Sequence, residues 1–505
     1  MISLKQSGDS IIRNDEKISI YGSYDVVVVG GGMAGVGAAL AASRAGAKTI
    51  LIENTSGLGG ISSVGLVPIT LDFVSGLGQE FFDEMEKVNG IRRRNTDPEK
   101  HKLIFDRMMK KYGAETMLVT PLIDTIVDGN DVKGIVIHTK QGKKAIMGKR
   151  FVDASGDSDL VFFGGGETKS GRKEDGMSMG CSLDFVMGGV DFEKYRASDV
   201  RNNDPKWTKL IAEALKNGEL PYEIDNHVNW ITHIPGRPEH CGMDEVCICI
   251  AHSRNCYPTD NNDLTRMYIE GREQAVILTD FIRKHVPGFE KAYLSYTGSL
   301  LGVRESRRIV GEYEFSGMDI AYARKHDDVI AISQHGFDIH GFTAAGNLKW
   351  FKGTLPDGRE AYIANRAGWG TQLPPDDGLP RVNMAELAPE GEFWYDIPYR
   401  CLIPKKLENV LAAGRNISSD MPGQSGTRLV MCCMALGEAA GTAAALSIKE
   451  NTTPRKLDVE KLQRTLVDNN VNIGQRFREI PALKDYKSKG SFKEAMYRGS
   501  VEQNN

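Results

Sequence analysis

Gly30, Gly32 and Gly35 stand in the spacing GxGxxG, directly after the apolar β-branched run Val26 to Val29 and directly before a helix of small residues. That pattern is the turn of a dinucleotide-binding unit. The first glycine permits the tight turn, the second lets the backbone approach a pyrophosphate, and the third lets the helix lie close to the strand. Met33 and Ala34, inside the turn, belong to the same set. Ala38, Ala39, Ala41, Ala42 and Ala45 keep the helix tight on the sheet, and Gly46 is placed to end it. A second strand, Thr49 to Ile52, delivers Glu53 and Asn54 to the crevice. An acid at that point accepts hydrogen bonds from a ribose 2′-OH and repels a 2′-phosphate, which excludes NADP more firmly than it chooses between FAD and NAD.

Other residues suit proton transfer or anion recognition. In Asp338-Ile339-His340 the histidine is a candidate general acid/base, because its ordinary pKa lies near neutrality. His335 is a weaker candidate of the same kind. Arg304, Arg307 and Arg308 offer guanidinium groups to a carboxylate or an electron-rich ring edge, or else pair with Glu305 and Glu312. Tyr399-Arg400 is held at lower weight. Trp350, Phe351, Trp369, Trp394 and Tyr395 concentrate aromatic faces in one stretch; packing of a β-rich cap explains them more simply than stacking on a flat ligand.

At 505 residues the chain is too long for one core and implies two or three domains. Hydrophobic residues at 41% and charged residues at 26% are those of a soluble globular protein. A formal charge of −4 gives no general reason to expect nucleic acid or an anionic membrane. No apolar run is read as a membrane span, and the N-terminus lacks the apolar core of a signal peptide, so a cytoplasmic location is the expectation. The eight cysteines do not resemble a disulfide framework. Cys241, Cys247, Cys249 and Cys256, with His240 and His252, match no paired zinc pattern, and VCICIA alternates as a strand does; no metal is expected.

The elements that must position these residues are read as follows. Residues 1–20 leave room for a small hairpin. Gly57-Leu-Gly59-Gly60 can run along a cofactor without side-chain clash. Residues 101–113 form an amphipathic helix with Leu103, Ile104, Met108 and Met109 on one side. Strands follow at Met117 to Val127, Val132 to His138 and Arg150 to Ala154, returning the chain to a parallel sheet. From about residue 166 polar stretches surround one clear helix, Asp263 to His285, with Asp263 as N-cap, and Gly302 to Phe315 alternates as a strand. Asn409 to Ala413 is a buried strand, and Gln424-Ser-Gly426-Thr427 leads into a buried helix reaching about Ile448. The expected fold is α/β, a Rossmann-like parallel βαβ sheet carrying an inserted β-rich α+β cap. The expected segments are 1–165 and 396–450 for the nucleotide-binding domain, 166–395 for the cap and 451–505 for a C-terminal extension.

YDVVVVGGGMAGVGAA, LGG, FVDASGDSDL, GVRESRRIVGEY, FDIHG, IPYRCLIPKKLENVLAAGRNISSD and GTRLVMCCMALGEAAGTAAA resemble, in that order, the FAD-dependent oxidoreductase family related to fumarate reductase and succinate dehydrogenase flavoproteins. The resemblance implies FAD on Gly30, Gly32, Gly35 and Glu53, with its pyrophosphate or flavin near Gly59 and Gly60. The Leu122 backbone would meet the adenine, Gly156 and Asp157 would close the site, and Gly414 and Arg415 would lie along the ribityl chain. A helix starting near Gly426 and Thr427 would point at the flavin O2/N1 edge, and His340 would lie near the flavin. Ile61, Ser62 and Ser63 stand where the succinate dehydrogenase type often carries a tethering histidine, so non-covalent FAD is expected.

The reading is hydride transfer between a small polar substrate and flavin N5, with an unidentified electron acceptor, no nucleic acid and no membrane. A homo-oligomer is compatible with the sequence. The alternatives are a tRNA-modifying flavoprotein, for which Arg92-Arg93-Arg94 is the only short basic run, and a non-catalytic redox or scaffold protein that retains FAD.

Overall fold

The computed structural model describes residues 4–7, 10–13, 17–221, 224–237 and 243–488. His240 and Cys241 lie outside them. Leu4–Ser7 and Ser10–Arg13 pair as the small antiparallel hairpin for which the sequence leaves room.

The main sheet is built on Ser19–Val29, whose last four residues are buried. Five strands run parallel in the order Glu115–Met117, Thr49–Ile52, Ser19–Val29, Gly142–Asp153 and Val410–Ala412. Gly142–Asp153 pairs along most of its length with Ser19–Val29. Its other edge is shared: the first half takes the antiparallel hairpin Leu122–Asp128 and Asp131–Thr139, and the last three residues take Val410–Ala412. The expected single run Met117 to Val127 is therefore cut in two. Val119 adopts φ +52° there, and Thr120 N–H bonds back to Glu53 O.

Two helices cover one face. Met33–Arg44 is buried almost throughout, and so is Val430–Lys449. They lie backbone to backbone and run parallel: a Cβ on Gly437 would come 1.9 Å from Ala34 O, and one on Gly441 would come 2.0 Å from Ala38 O. Val430–Lys449 is long and apolar enough to cross a membrane by composition, contrary to the sequence reading, but 89% of its apolar window is buried inside the protein. Its polarity is that of a central core helix. The sequence reading has Gln424 to Thr427 lead into this helix, with its start near Thr427. Instead Met421–Thr427 is a separate short helix, and extended backbone at Leu429 (φ −69°, ψ 152°) separates the two. Arg428 stands at the break, its guanidinium bonded to the Asp338 carbonyl and carboxylate.

A second core forms around a four-stranded antiparallel sheet ordered Trp230–His233, Asp244–Cys249, Phe185–Val190 and Tyr293–Thr297. Phe185, Trp207, Leu278, Ile282 and Phe289 fill it. The long helix Asn261–His285 covers it, and its N-cap is Asp260 rather than Asp263. Asp260 Oδ1 accepts from the Asn262 and Asp263 N–H groups, while Asp263 turns to Tyr257 N–H and Arg266. Pro98–Tyr112 ends at Gly113 in the left-handed region, as expected, but Leu103 is 42% exposed and His101 and Phe105 take the inner face instead. Phe315, Phe337, Ile339 and Tyr395 join the core of the nucleotide-binding sheet, as do Leu462 and Leu466 near the C-terminus.

The parallel helix contact leaves no room for a side chain at Gly441. Gly441→Val is expected to lower stability by about 3 kcal/mol through overpacking against Ala38, read as a fall in urea midpoint. An unchanged midpoint would mean that the two helices are not in backbone contact.

Candidate functional site

The glycine turn shows which of its members serve packing and which leave space. Gly30 has φ +98°, and a Cβ on it would sit 2.3 Å from Ala154 O. A Cβ on Gly35 would sit 1.7 Å from Gly30 O. Both glycines are required by chain on chain. A Cβ on Gly32 would meet nothing within 4 Å, and Gly32 has an ordinary φ of −66°. The space before it is open, and a pyrophosphate needs that space.

Second-turn residues close on the first. Gly59 N–H bonds Gly31 O at 2.8 Å, and Gly60 faces Gly32. Ser62 Oγ, next to Gly60, is buried without a hydrogen-bond partner. Glu53 is buried, and its carboxylate accepts from Gly31 N–H at 2.5 Å and Thr55 N–H at 2.6 Å. It therefore braces the turn as well as facing the crevice; Asn54 beside it is exposed. Leu122 opens its strand opposite Ile137, two residues after Thr120, whose N–H meets Glu53 O.

Two helix N-termini point to the same end of this crevice. Neither Met33–Arg44 nor Val430–Lys449 has a side-chain cap or an acidic residue in its first turn. Met431 N–H of the second helix is taken by Leu71 O at 3.3 Å; the remaining first-turn N–H groups and the partial positive charge of the two ends suit an anion or an electron-rich ring edge. Val430 lies seven residues before Gly437, the residue that touches Ala34, so the second N-terminus reaches about 10 Å further along the crevice at 1.5 Å per residue.

The closing wall comes from three segments. Asp153, fully buried, accepts from Ser155 N–H and Oγ, Val161 N–H and Asn416 Nδ2, which fixes the turn through Gly156. Asp157 Oδ1 takes Arg415 Nη2 at 2.8 Å and the Ser306 hydroxyl. Gly414 has φ +98°, and a Cβ there would press on Ala34. Gly426 is tight against Ile320 and Tyr395, and the Thr427 hydroxyl turns back to Gly423 O, so both lie inside the short helix.

The arginines separate. Arg307 binds Asp157 O and the Asp159 carboxylate and lies over the Phe162 ring, so it braces the wall away from His340. Arg308 is spent on Glu305, Ser419 O and Gly171 O. These anchors also explain why only Arg307–Ile309 is strand where alternation suggested Gly302 to Phe315. Arg400 pairs with Asp328, and the Tyr399 hydroxyl bonds Pro454 O, which removes both from the site. Trp394 packs against Phe477 and Lys325, as core residues do. His335 Nδ1 faces Gly336 O.

Arg304 and His340 do come together. Both are buried, and they belong to a cluster with His252, Asp338 and Arg428 that abuts the start of Val430–Lys449. His340 Nε2 lies 3.3 Å from Asp338 Oδ1, and Asp338 Oδ2 takes Arg428 Nη2 at 2.7 Å. The His340 ring stacks on His252 at 5.8 Å. Burial first, then the positive charge of Arg304, push the His340 pKa down to about 4 against the pull of Asp338. At neutral pH it is a neutral imidazole, able to accept a proton. Arg428 and His252 went unselected in the sequence as site residues. Gln424 ties the cluster to the wall, its Nε2 donating to Arg304 O at 2.9 Å.

Gly32→Ala is expected to leave the stability of ligand-free protein within about 0.5 kcal/mol and to abolish dinucleotide retention. Gly35→Ala should destabilise the fold itself. The pair of melting curves and the bound nucleotide per chain are the measurements; full retention in Gly32→Ala would reduce the turn to a packing device.

The chain matches the family model described as FAD dependent oxidoreductase over residues 25–466. It is 30% identical over 144 residues to the tRNA uridine 5-carboxymethylaminomethyl modification enzyme MnmG of Alkaliphilus metalliredigens, covering 23% of this chain and 22% of that protein. It is 31% identical over 120 residues to the thiamine thiazole synthase of Aeropyrum pernix, covering 23% of this chain and 43% of that protein. The chain thus spans less than half the length of either relative. A geranylgeranyl bacteriochlorophyll reductase-like protein from Thermoplasma acidophilum is similar over 90% of this chain and 85% of its own, at 14% identity and a TM-score of 0.42. With a family match that runs from the first strand of the glycine turn to beyond the buried helix, the chain belongs to the FAD dependent oxidoreductase family.

Proposed function

We propose that this protein is a dehydrogenase or reductase that moves a hydride between a small polar substrate and non-covalently held FAD. The observation that carries the reading is a neutral, buried His340 beside Arg304 and Arg428, at the N-terminal end of the helix Val430–Lys449. Bound FAD supplies a two-electron acceptor whose N5 takes or returns the hydride. The open space at Gly32, the unpartnered Ser62 hydroxyl and the two helix N-termini without side-chain caps support this reading.

In the direction of substrate oxidation, His340 accepts the proton from the substrate's hydroxyl or amine through its imidazole. Asp338 orients the ring and stabilises the cation that forms. Arg304 and Arg428 keep the pocket electropositive, which favours the neutral imidazole before transfer and a polar, electron-rich substrate group. Asp157, Ser306 and Arg415 hold one another in the wall of the crevice. The proposal includes a cytoplasmic setting, an unidentified electron acceptor and, on the sequence motifs, kinship with fumarate reductase; a homo-oligomer is compatible with it. Against a tRNA substrate weighs the basic run, since Arg94 is committed to Thr70 O and Asp72 O.

His340→Asn should retain FAD and fold, and slow flavin reduction by about 10²- to 10⁴-fold, as loss of a general base does. Wild-type reduction should be flat across neutral pH and fall only as pH drops through about 4, where His340 takes up its proton. Anaerobic stopped-flow, after a screen of hydroxy acids, sugars and unsaturated acids for flavin bleaching or reoxidation, reads both. A normal rate in the variant would remove His340 from the chemistry.

Acid precipitation should release the yellow colour into the supernatant. Flavin left on the pellet would contradict non-covalent binding.

A further inference from the structure

His252 is almost fully buried on the two-residue strand His252–Ser253. Its backbone is clamped from both sides by Gln274 of the long helix: Gln274 Oε1 accepts from His252 N–H at 2.9 Å, and Gln274 Nε2 donates to His252 O at 3.0 Å. The imidazole therefore has a fixed origin, and its two nitrogens meet opposite partners. Nδ1 lies 3.1 Å from Asp225 Oδ2 and 3.0 Å from Ile250 O, both acceptors. Nε2 lies 3.0 Å from Arg304 Nη2 and 3.1 Å from Asn229 Nδ2, both donors. A guanidinium can only donate. Nε2 must then carry no hydrogen, and Nδ1 must carry one.

Resting on the role proposed for His340, we infer that Asp225 and His252 act as a positioning pair: the Asp225 carboxylate fixes the imidazole as its Nδ1–H tautomer, and the bare Nε2 holds the Arg304 guanidinium beside the His340 ring. Asp225 is itself anchored, its Oδ1 taking Gly346 N–H at 2.9 Å and lying 3.1 Å from Arg254 Nη2. Arg304 has a second fixed acceptor, Gly180 O at 2.8 Å.

The choice of acceptor matters physically. A carboxylate opposite Arg304 would satisfy its hydrogen bonds and also cancel its charge. A neutral imidazole and a carbonyl satisfy the donors and leave the full positive charge in a buried place. That charge acts on His340, whose other charged neighbours are Asp338 at 3.3 Å, which favours the imidazolium, and Arg428, which opposes it. Burial keeps His252 itself neutral, well below its ordinary range, so the pair does not titrate with its target. Asp225 and His252 touch His340 only through ring stacking and Arg304, so neither is a catalytic residue.

The test needs no substrate. In FAD-loaded protein with 15N-labelled imidazoles, His252 should give the Nδ1–H signature unchanged from about pH 5 to pH 9, and His340 should titrate far below the usual midpoint of about 6.5. His252→Leu should raise the His340 midpoint by about one unit, because Arg304 loses the acceptor that holds its positive charge beside the ring; Asp225→Asn also removes a negative charge, so it is read on His252 itself, whose Nδ1–H signature should be lost. His252→Gln keeps an amide oxygen for Arg304 and should hold the midpoint near the wild-type value. An Nε2–H signature for His252, or an unmoved His340 midpoint in His252→Leu with bound FAD, would overturn the inference. Should Asp225→Asn fail to fold, the contrast between His252→Leu and His252→Gln decides alone. A normal reduction rate in His340→Asn would sink the proposed chemistry while leaving these titrations to report on the pair.

Discussion

The parallel contact between Met33–Arg44 and Val430–Lys449 is the constraint on which the rest of the structure depends. Glycines at 437 and 441 let two helix backbones touch at Ala34 and Ala38. Because the helices run in the same direction, both uncapped N-termini open at one end of the parallel sheet, at different depths. A bulkier stripe would hold the helices at the usual 8–10 Å and splay those ends apart. The crevice is thus set by residues 403 positions apart in the chain (34 and 437, 38 and 441), and the glycine turn, the Gly59-Gly60 turn and the Asp153 turn all fit around it.

Charge placement follows the same economy. Asp153, Asp157, Arg307 and Arg415 lock loops and are largely spent on one another or on backbone. Arg304 sits three residues from the lock Arg307, yet belongs with Arg428 and His340 to a separate buried group whose basic side chains are only partly neutralised. Structural ion pairs and the candidate reactive group are interleaved along Arg304 to Arg308. The alternation of that segment reflects two walls of side-chain anchors rather than a strand ladder.

The parts of this arrangement legible in the sequence are those set by local spacing. Gly30, Gly32, Gly35 and Glu53 fall within one βαβ unit, and their order is a short-range property of strand, turn and helix. The Glu53 carboxylate could not be read in full, since its bonds to Gly31 and Thr55 depend on how the turn folds over it. The last helix, read as starting near Thr427, starts at Val430, and the Arg428 bond to Asp338, 90 residues away, has no signal in the local sequence. His252 stayed hidden for the same reason: nothing beside it in sequence shows that Asp225 and Arg304 meet its two nitrogens. Arg307 and Arg304 look equivalent by type and differ only by the wall each faces.

In the proposed arrangement the two helix ends without side-chain caps hold one FAD between them. A crystal structure of the FAD-loaded protein tests it most directly. The account predicts the pyrophosphate across Gly32 at the start of Met33–Arg44, and the isoalloxazine ring at the start of Val430–Lys449 with His340 beside it. A flavin ring lodged away from the Leu429–Val430 end, or a Gly32 face left clear of the cofactor, would contradict it.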